Sequence, residues 1–125
     1  MLRVYRRPDT RQGMIKVYVA SKYTLGSEGE NVRVSLDVGN RLINEGFAPF
    51  CPLLSHFQHM IFPQGYDTWL TLDIEWLSVC DCLLRLPGES KGADIEVEYA
   101  REHMIPVFYT IEQLIEYYTD LADED

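Results

Sequence analysis

The chain has 125 residues, 46% of them hydrophobic and 25% charged, which suits one core and is too short for two ordinary domains. That balance excludes a wholly disordered chain, and no apolar run approaches the ~20 residues that span a bilayer. The net charge of −9 repels nucleic-acid backbones and anionic membranes.

In chain order, the first segment departs from that charge. Residues 1–13 hold Arg3, Arg6, Arg7 and Arg11 against Asp9, a net of +3, so the remaining 112 residues carry −12. This reads as a basic N-terminal appendage, a solvated tail or an extra strand; contact with nucleic acid is its least favoured use. No apolar stretch follows these basic residues, so they are not read as a signal peptide. Residues 15–20 are short, apolar and β-branched, as a buried strand requires. Residues 21–30 form a loop with Gly26 and Gly29, and Asn31 caps a helix to about Asn44. Its inner side is expected to carry Val34, Val38, Leu42 and Ile43. Residues 47–51 are a second strand, whose Pro49 makes pairing imperfect. Residues 52–64 are a long loop, and a helix runs from Tyr66 to about Val79 with Leu70, Ile74 and Leu77 on one face. Residues 80–86 form a third strand, 87–92 a tight loop and 93–103 a helix. Residues 106–109 are a fourth strand, Thr110 caps a helix to about Thr119, and residues 121–125 are an acidic tail.

Strands alternating with crossover helices predict an α/β fold: a Rossmann-like three-layer sandwich with a parallel four- to five-stranded sheet, one domain over residues 14–120. In such sheets ligands bind beyond the carboxyl ends of the strands, so loops 21–30, 52–65 and 86–92 should converge. The first of these has no GxGxxG, which argues against a dinucleotide site. Ser21, Lys22 and Ser27 are instead candidates for holding a phosphate near the following helix start. In the third loop, Gly88 and Gly92 allow close backbone approach, and Ser90 can cap the next helix. Glu96 falls in the first turn or so of that helix. Asp73 lies mid-helix at the edge of an apolar stripe, where a carboxylate needs a partner or a task. Two carboxylates converging on one cleft suit glycosidic chemistry. Tyr66, Trp69, Phe57 and Phe62 are candidates for stacking on a ring, and His56 and His59 for contacting phosphate or substrate.

Three cysteines, Cys51, Cys80 and Cys82, point to reduced thiols and a cytoplasmic setting. Cys51 with His56 and His59 fits no closed zinc pattern, so no metal is expected.

The run Asp73-Ile74-Glu75-Trp76-Leu77 with Asp81, followed by Ser90, Gly92, Glu96, Tyr99 and Ala100, resembles the nucleoside 2-deoxyribosyltransferase superfamily. Within it the pattern looks nearest to the 2′-deoxynucleoside 5′-monophosphate N-glycosidases, over residues 14–110. The resemblance implies that Glu96 is the nucleophile at the sugar C1′ and that Asp73 contacts and helps protonate the base. It implies that Ser90, which stands where transferase members carry an Asp, helps bind a 5′-phosphate. The expected function is therefore cleavage of the base–sugar bond of a (deoxy)nucleoside 5′-monophosphate, with no cofactor. The alternatives are a deoxyribosyltransferase and a non-catalytic nucleotide-binding module. The family places a tyrosine at the position of Val17; here Tyr18 comes one residue later, and Tyr23 is a substitute from the loop. The expected partners are a small-molecule nucleotide or nucleoside and a second copy of the chain, as a homodimer or higher homo-oligomer. Neither membrane nor nucleic acid is expected. No residue here matches the C-terminal group with which a neighbouring subunit completes family sites.

Overall fold

The computed structural model describes residues 13–123. Residues 1–12 of the basic segment, and Glu124 and Asp125 of the acidic tail, lie outside the described residues. Four short strands pair in parallel: β1 (Lys16–Ala20), β2 (Ala48–Phe50), β3 (Cys82–Arg85) and β4 (Val107–Phe108), in the order β2-β1-β3-β4. Five helices accompany them: α1 (Glu28–Asn44), α2 (Ser55–Ile61), α3 (Tyr66–Leu77), α4 (Lys91–Glu102) and α5 (Ile111–Asp123). The protein is an α/β, Rossmann-like three-layer sandwich built on a four-stranded parallel sheet.

Strand alternation sorts the core into two halves. Val17 and Val19 join Cys82 and Leu84 on one face, with Leu42 of α1 and Leu114 and Tyr118 of α5. Tyr18 and Ala20 join Leu83 on the other, with Leu77 of α3 and Ala93, Val97 and Ala100 of α4. Pro49, which cannot donate to a ladder, sits in the edge strand β2. The connection β1–α1–β2 moves to one side of β1, and the next crossover returns to β3 on its other side. Chain direction across the sheet therefore reverses between β1 and β3, and their carboxyl ends diverge into a crevice.

Several expected boundaries move. Helix α1 begins at Glu28, capped by Ser27, whose hydroxyl accepts from the Glu30 N–H. Asn31 is not the cap: it is buried, and its Nδ2 donates to the carbonyls of Tyr23 (2.8 Å) and Leu25 (2.9 Å). The inner face of α1 follows Val32, Ser35, Gly39 and Leu42, while Val34 and Ile43 are exposed. Small residues are needed there because a Cβ on Gly39 would stand 2.7 Å from Cys51 Sγ. The expected loop 52–64 contains a 3₁₀ turn (Pro52–Leu54) and α2. No residue of α2 is buried, so it lacks the apolar stripe that marks a helix in sequence. Helix α4 starts at Lys91, two residues early, which places Glu96 in its second turn. Helix α5 continues to Asp123 rather than ending near Thr119. Among the described residues no helix is long and apolar enough to cross a membrane.

Candidate functional site

The crevice opens into a cavity of about 680 Å³, walled by the segments after β1, β2 and β3 and by the inward sides of α3 and α4. Tyr66, Trp69, Leu70 and Asp73 face it at helical spacing from α3, and Glu96 faces it from α4. The two carboxylates named from sequence thus share one hollow.

Their surroundings differ. Glu96 is only 5% exposed. The Tyr18 hydroxyl, rising from the central strand β1, donates to its Oε2. Burial pushes the Glu96 carboxyl up to about 8; the Tyr18 hydrogen bond and the Arg85 charge oppose this, and the Asp73 charge adds to it. Asp73 is part-buried, and loss of hydration alone raises it to about 7. The Tyr18 phenol is raised first by burial and then by the Glu96 and Asp73 charges, so it stays a neutral donor. Two acids with overlapping titrations in one cavity behave as a coupled pair.

Tyr18 reaches Glu96 because even positions of β1 point toward α3 and α4, whereas Val17 points toward α1 and α5. Tyr18, and not Val17, therefore stands on the face that carries Glu96. Tyr18 is fully buried, however, and does not line the cavity, so it touches the carboxylate rather than a ligand. Tyr23 does line the cavity, with its hydroxyl 2.5 Å from His56 Nδ1 and hydrogen-bonded to Glu28.

Ser90 caps α4, accepting from the Ala93 N–H at 3.1 Å, and lines the cavity with Gly92. A Cβ on Gly92 would stand 3.1 Å from the Tyr66 hydroxyl, so glycine there admits the phenol against the helix start. Ser21 also lines the cavity, and its buried hydroxyl has no hydrogen-bond partner among the described residues. Lys22 does not line it. Its aliphatic stem lies against Gly88, and it borders a separate cleft of about 140 Å³ with Asn31 and Pro87. Phe57 and Phe62 are exposed and lie outside the cavity wall.

The sequence reading missed Arg85, at the carboxyl end of β3. Its guanidinium, 8% exposed with its residue, donates to the carbonyls of Leu86 and Gly88 and to Asp94 Oδ1. It ties the loop leading to α4 and sets a positive charge near Glu96. A lone arginine in the apolar run 82–86 was the available signal. Cys51 lies buried beneath α1 with its Sγ 3.7 Å from the Ser35 carbonyl, so it does not join His56 and His59. Among the described residues no group of three metal-ligating side chains forms.

A wider, open depression of about 860 Å³ lies against the other side of α4. Both of its arginines are engaged, Arg85 with Asp94 and Arg101 with the Tyr109 hydroxyl, and it contains neither Asp73 nor Glu96. The smaller cavity is the better candidate on chemistry. Comparison with known proteins finds no matching family model, no matching curated protein and no matching solved structure.

Proposed function

We propose that this protein is an N-glycosidase that hydrolyses the base–sugar bond of a (deoxy)nucleoside 5′-monophosphate. The observation that carries this reading is the pair Glu96 and Asp73, brought from two helices into one cavity of about 680 Å³, within the size range of small-molecule sites. In the proposed mechanism a Glu96 oxygen bonds to C1′ as the C1′–N bond breaks, through an oxocarbenium-like transition state. Asp73 delivers its proton to the departing base nitrogen. Water then attacks C1′ as Asp73 takes up a proton, which releases the sugar phosphate and restores Glu96. The Tyr18 hydroxyl stabilises the Glu96 anion and fixes its rotamer. The amino end of α4, with Ser90 and Gly92, and the Ser21 hydroxyl suit a 5′-phosphate. No metal or organic cofactor enters these steps.

The test is release of free base from a panel of nucleoside and deoxynucleoside 5′-monophosphates by wild type and Glu96→Ala. Loss of the nucleophile is expected to cost on the order of 10³-fold or more in rate. Equal rates, or no release by wild type, reject the reading. A second free base added to the assay reads the transferase alternative through formation of an exchanged nucleoside. We further propose a cytoplasmic setting, on the strength of three free cysteines, and a homodimer or higher homo-oligomer, on the strength of the exposed apolar side chains Met60, Ile61 and Phe62.

A further inference from the structure

We propose that His59 is a recognition residue, holding a fixed Nε2–H donor toward a nucleobase acceptor, a carbonyl oxygen or a bare ring nitrogen. The proposal rests on the nucleotide reading above and goes beyond it in naming the group that reads the base. Two donors converge on His59 Nδ1: the Gln64 backbone N–H at 3.1 Å and the Trp69 indole Nε1–H at 2.9 Å. Neither can accept. Nδ1 therefore carries a lone pair, and the neutral ring bears its proton on Nε2. Among the described residues no acceptor pairs with Nε2, although the ring is half-buried in the cavity wall. A donor so placed is satisfied by a ligand acceptor or by water.

The position identifies the end of the ligand. Trp69 and Asp73 are four residues apart on α3 and face the same cavity, so the clamped imidazole lies one helical turn from the carboxyl assigned to the base. Ser90 and Gly92, suited to phosphate, come from the start of α4 instead. The indole edge stands T-shaped to the imidazole, ring centroids 5.9 Å apart, which fixes the plane of the ring as well as its tautomer.

The experiment uses the full chain carrying Glu96→Gln, so that bound nucleotide is not turned over. Long-range ¹H–¹⁵N spectra should show a pyridine-like Nδ1 and a pyrrole-like Nε2 at His59 in the free protein; a protonated Nδ1 overturns the proposal. The four common 2′-deoxynucleoside 5′-monophosphates are then titrated in turn. For those that bind, the His59 Nε2–H resonance should move, and binding that leaves it in place overturns the proposal. Adding His59→Phe should weaken that binding on the order of 10-fold or more, since the acceptor loses its partner. His59→Gln, which keeps one acceptor and one donor, should restore most of it; equal loss in both variants assigns His59 a packing role and overturns the proposal. Binding that reports on His59 without base release by wild type removes the glycosidase reading alone. Failure of all four nucleotides, and of the four corresponding ribonucleotides, to bind removes both.

Discussion

Glu96 shows what the site costs the fold. Its carboxyl is held near 8 against about 4.5 for an ordinary glutamate, chiefly by burial. The folded state therefore binds the proton more tightly than the unfolded state. The stability this brings is fully present below about 4.5 and is lost as pH rises through about 8. Glu96→Gln removes the titration while keeping an acceptor for Tyr18. It should match wild type in stability near pH 4.5 and exceed it by on the order of 3 kcal/mol at pH 9, measured by urea unfolding. Activity should run the other way. In the proposed mechanism Glu96 is ionised to attack and Asp73, raised to about 7, is protonated to donate. The pH profile of kcat/KM should be a bell with its maximum between about 7 and 8, rising as Glu96 ionises and falling as Asp73 loses its proton. Asp73→Asn should lower the rate on the order of 10²-fold or more and abolish the alkaline limb.

At the scale of elements, contacts between small groups set the spacing. Helix α1 approaches the chain after β2 closely enough that Gly39 meets Cys51 Sγ with no room for a methyl group. Gly39→Ala should destabilise the protein by about 1–3 kcal/mol, because the neighbour is a short, buried side chain that cannot swing aside. Cys51→Ala in the same chain should recover much of the loss, and a double-mutant cycle in thermal unfolding checks the coupling. The alternation of elements, and hence the parallel sheet, was legible because β-branched apolar runs stand out between amphipathic helices. The carboxylates were legible too, as Glu96 follows a Ser-capped start and Asp73 borders the stripe of Leu70, Ile74 and Leu77. Helix α2 was hidden because it buries nothing, and the phase of α1 because Ser35 and Gly39 carry no hydrophobic signal. The pairs Tyr23 with His56 and His59 with Trp69 join residues brought together only by folding, so spacing alone does not disclose them.

For the whole molecule the issue is where an acidic chain could meet a copy of itself, as the proposed homo-oligomer requires. With a net charge of −9, most of its surface repels a second protomer. Residues 46–66 contain no Asp, Glu, Lys or Arg and include the exposed Phe57, Met60, Ile61 and Phe62. This stretch can be buried without desolvating a side-chain charge, so the proposed homo-oligomer is placed here. Sedimentation should show a concentration-dependent dimer or higher oligomer for the wild type, and the double substitution Ile61→Glu and Phe62→Glu should leave a monomer with an unchanged circular dichroism spectrum. A wild-type monomer at all concentrations removes the oligomer proposal.

The hydroxyl under Glu96 comes from an inner strand of the sheet, so this carboxylate stands on a floor that cannot loosen without opening the fold. The histidines sit on a short helix with no buried residue, a roof attached to that floor by few apolar contacts. The proposed chemistry and the proposed recognition thereby fall on parts of unequal burial. If the proposed roles hold, exchanging the roof for another of equal length changes the choice of ligand and leaves the proposed bond-breaking step in place.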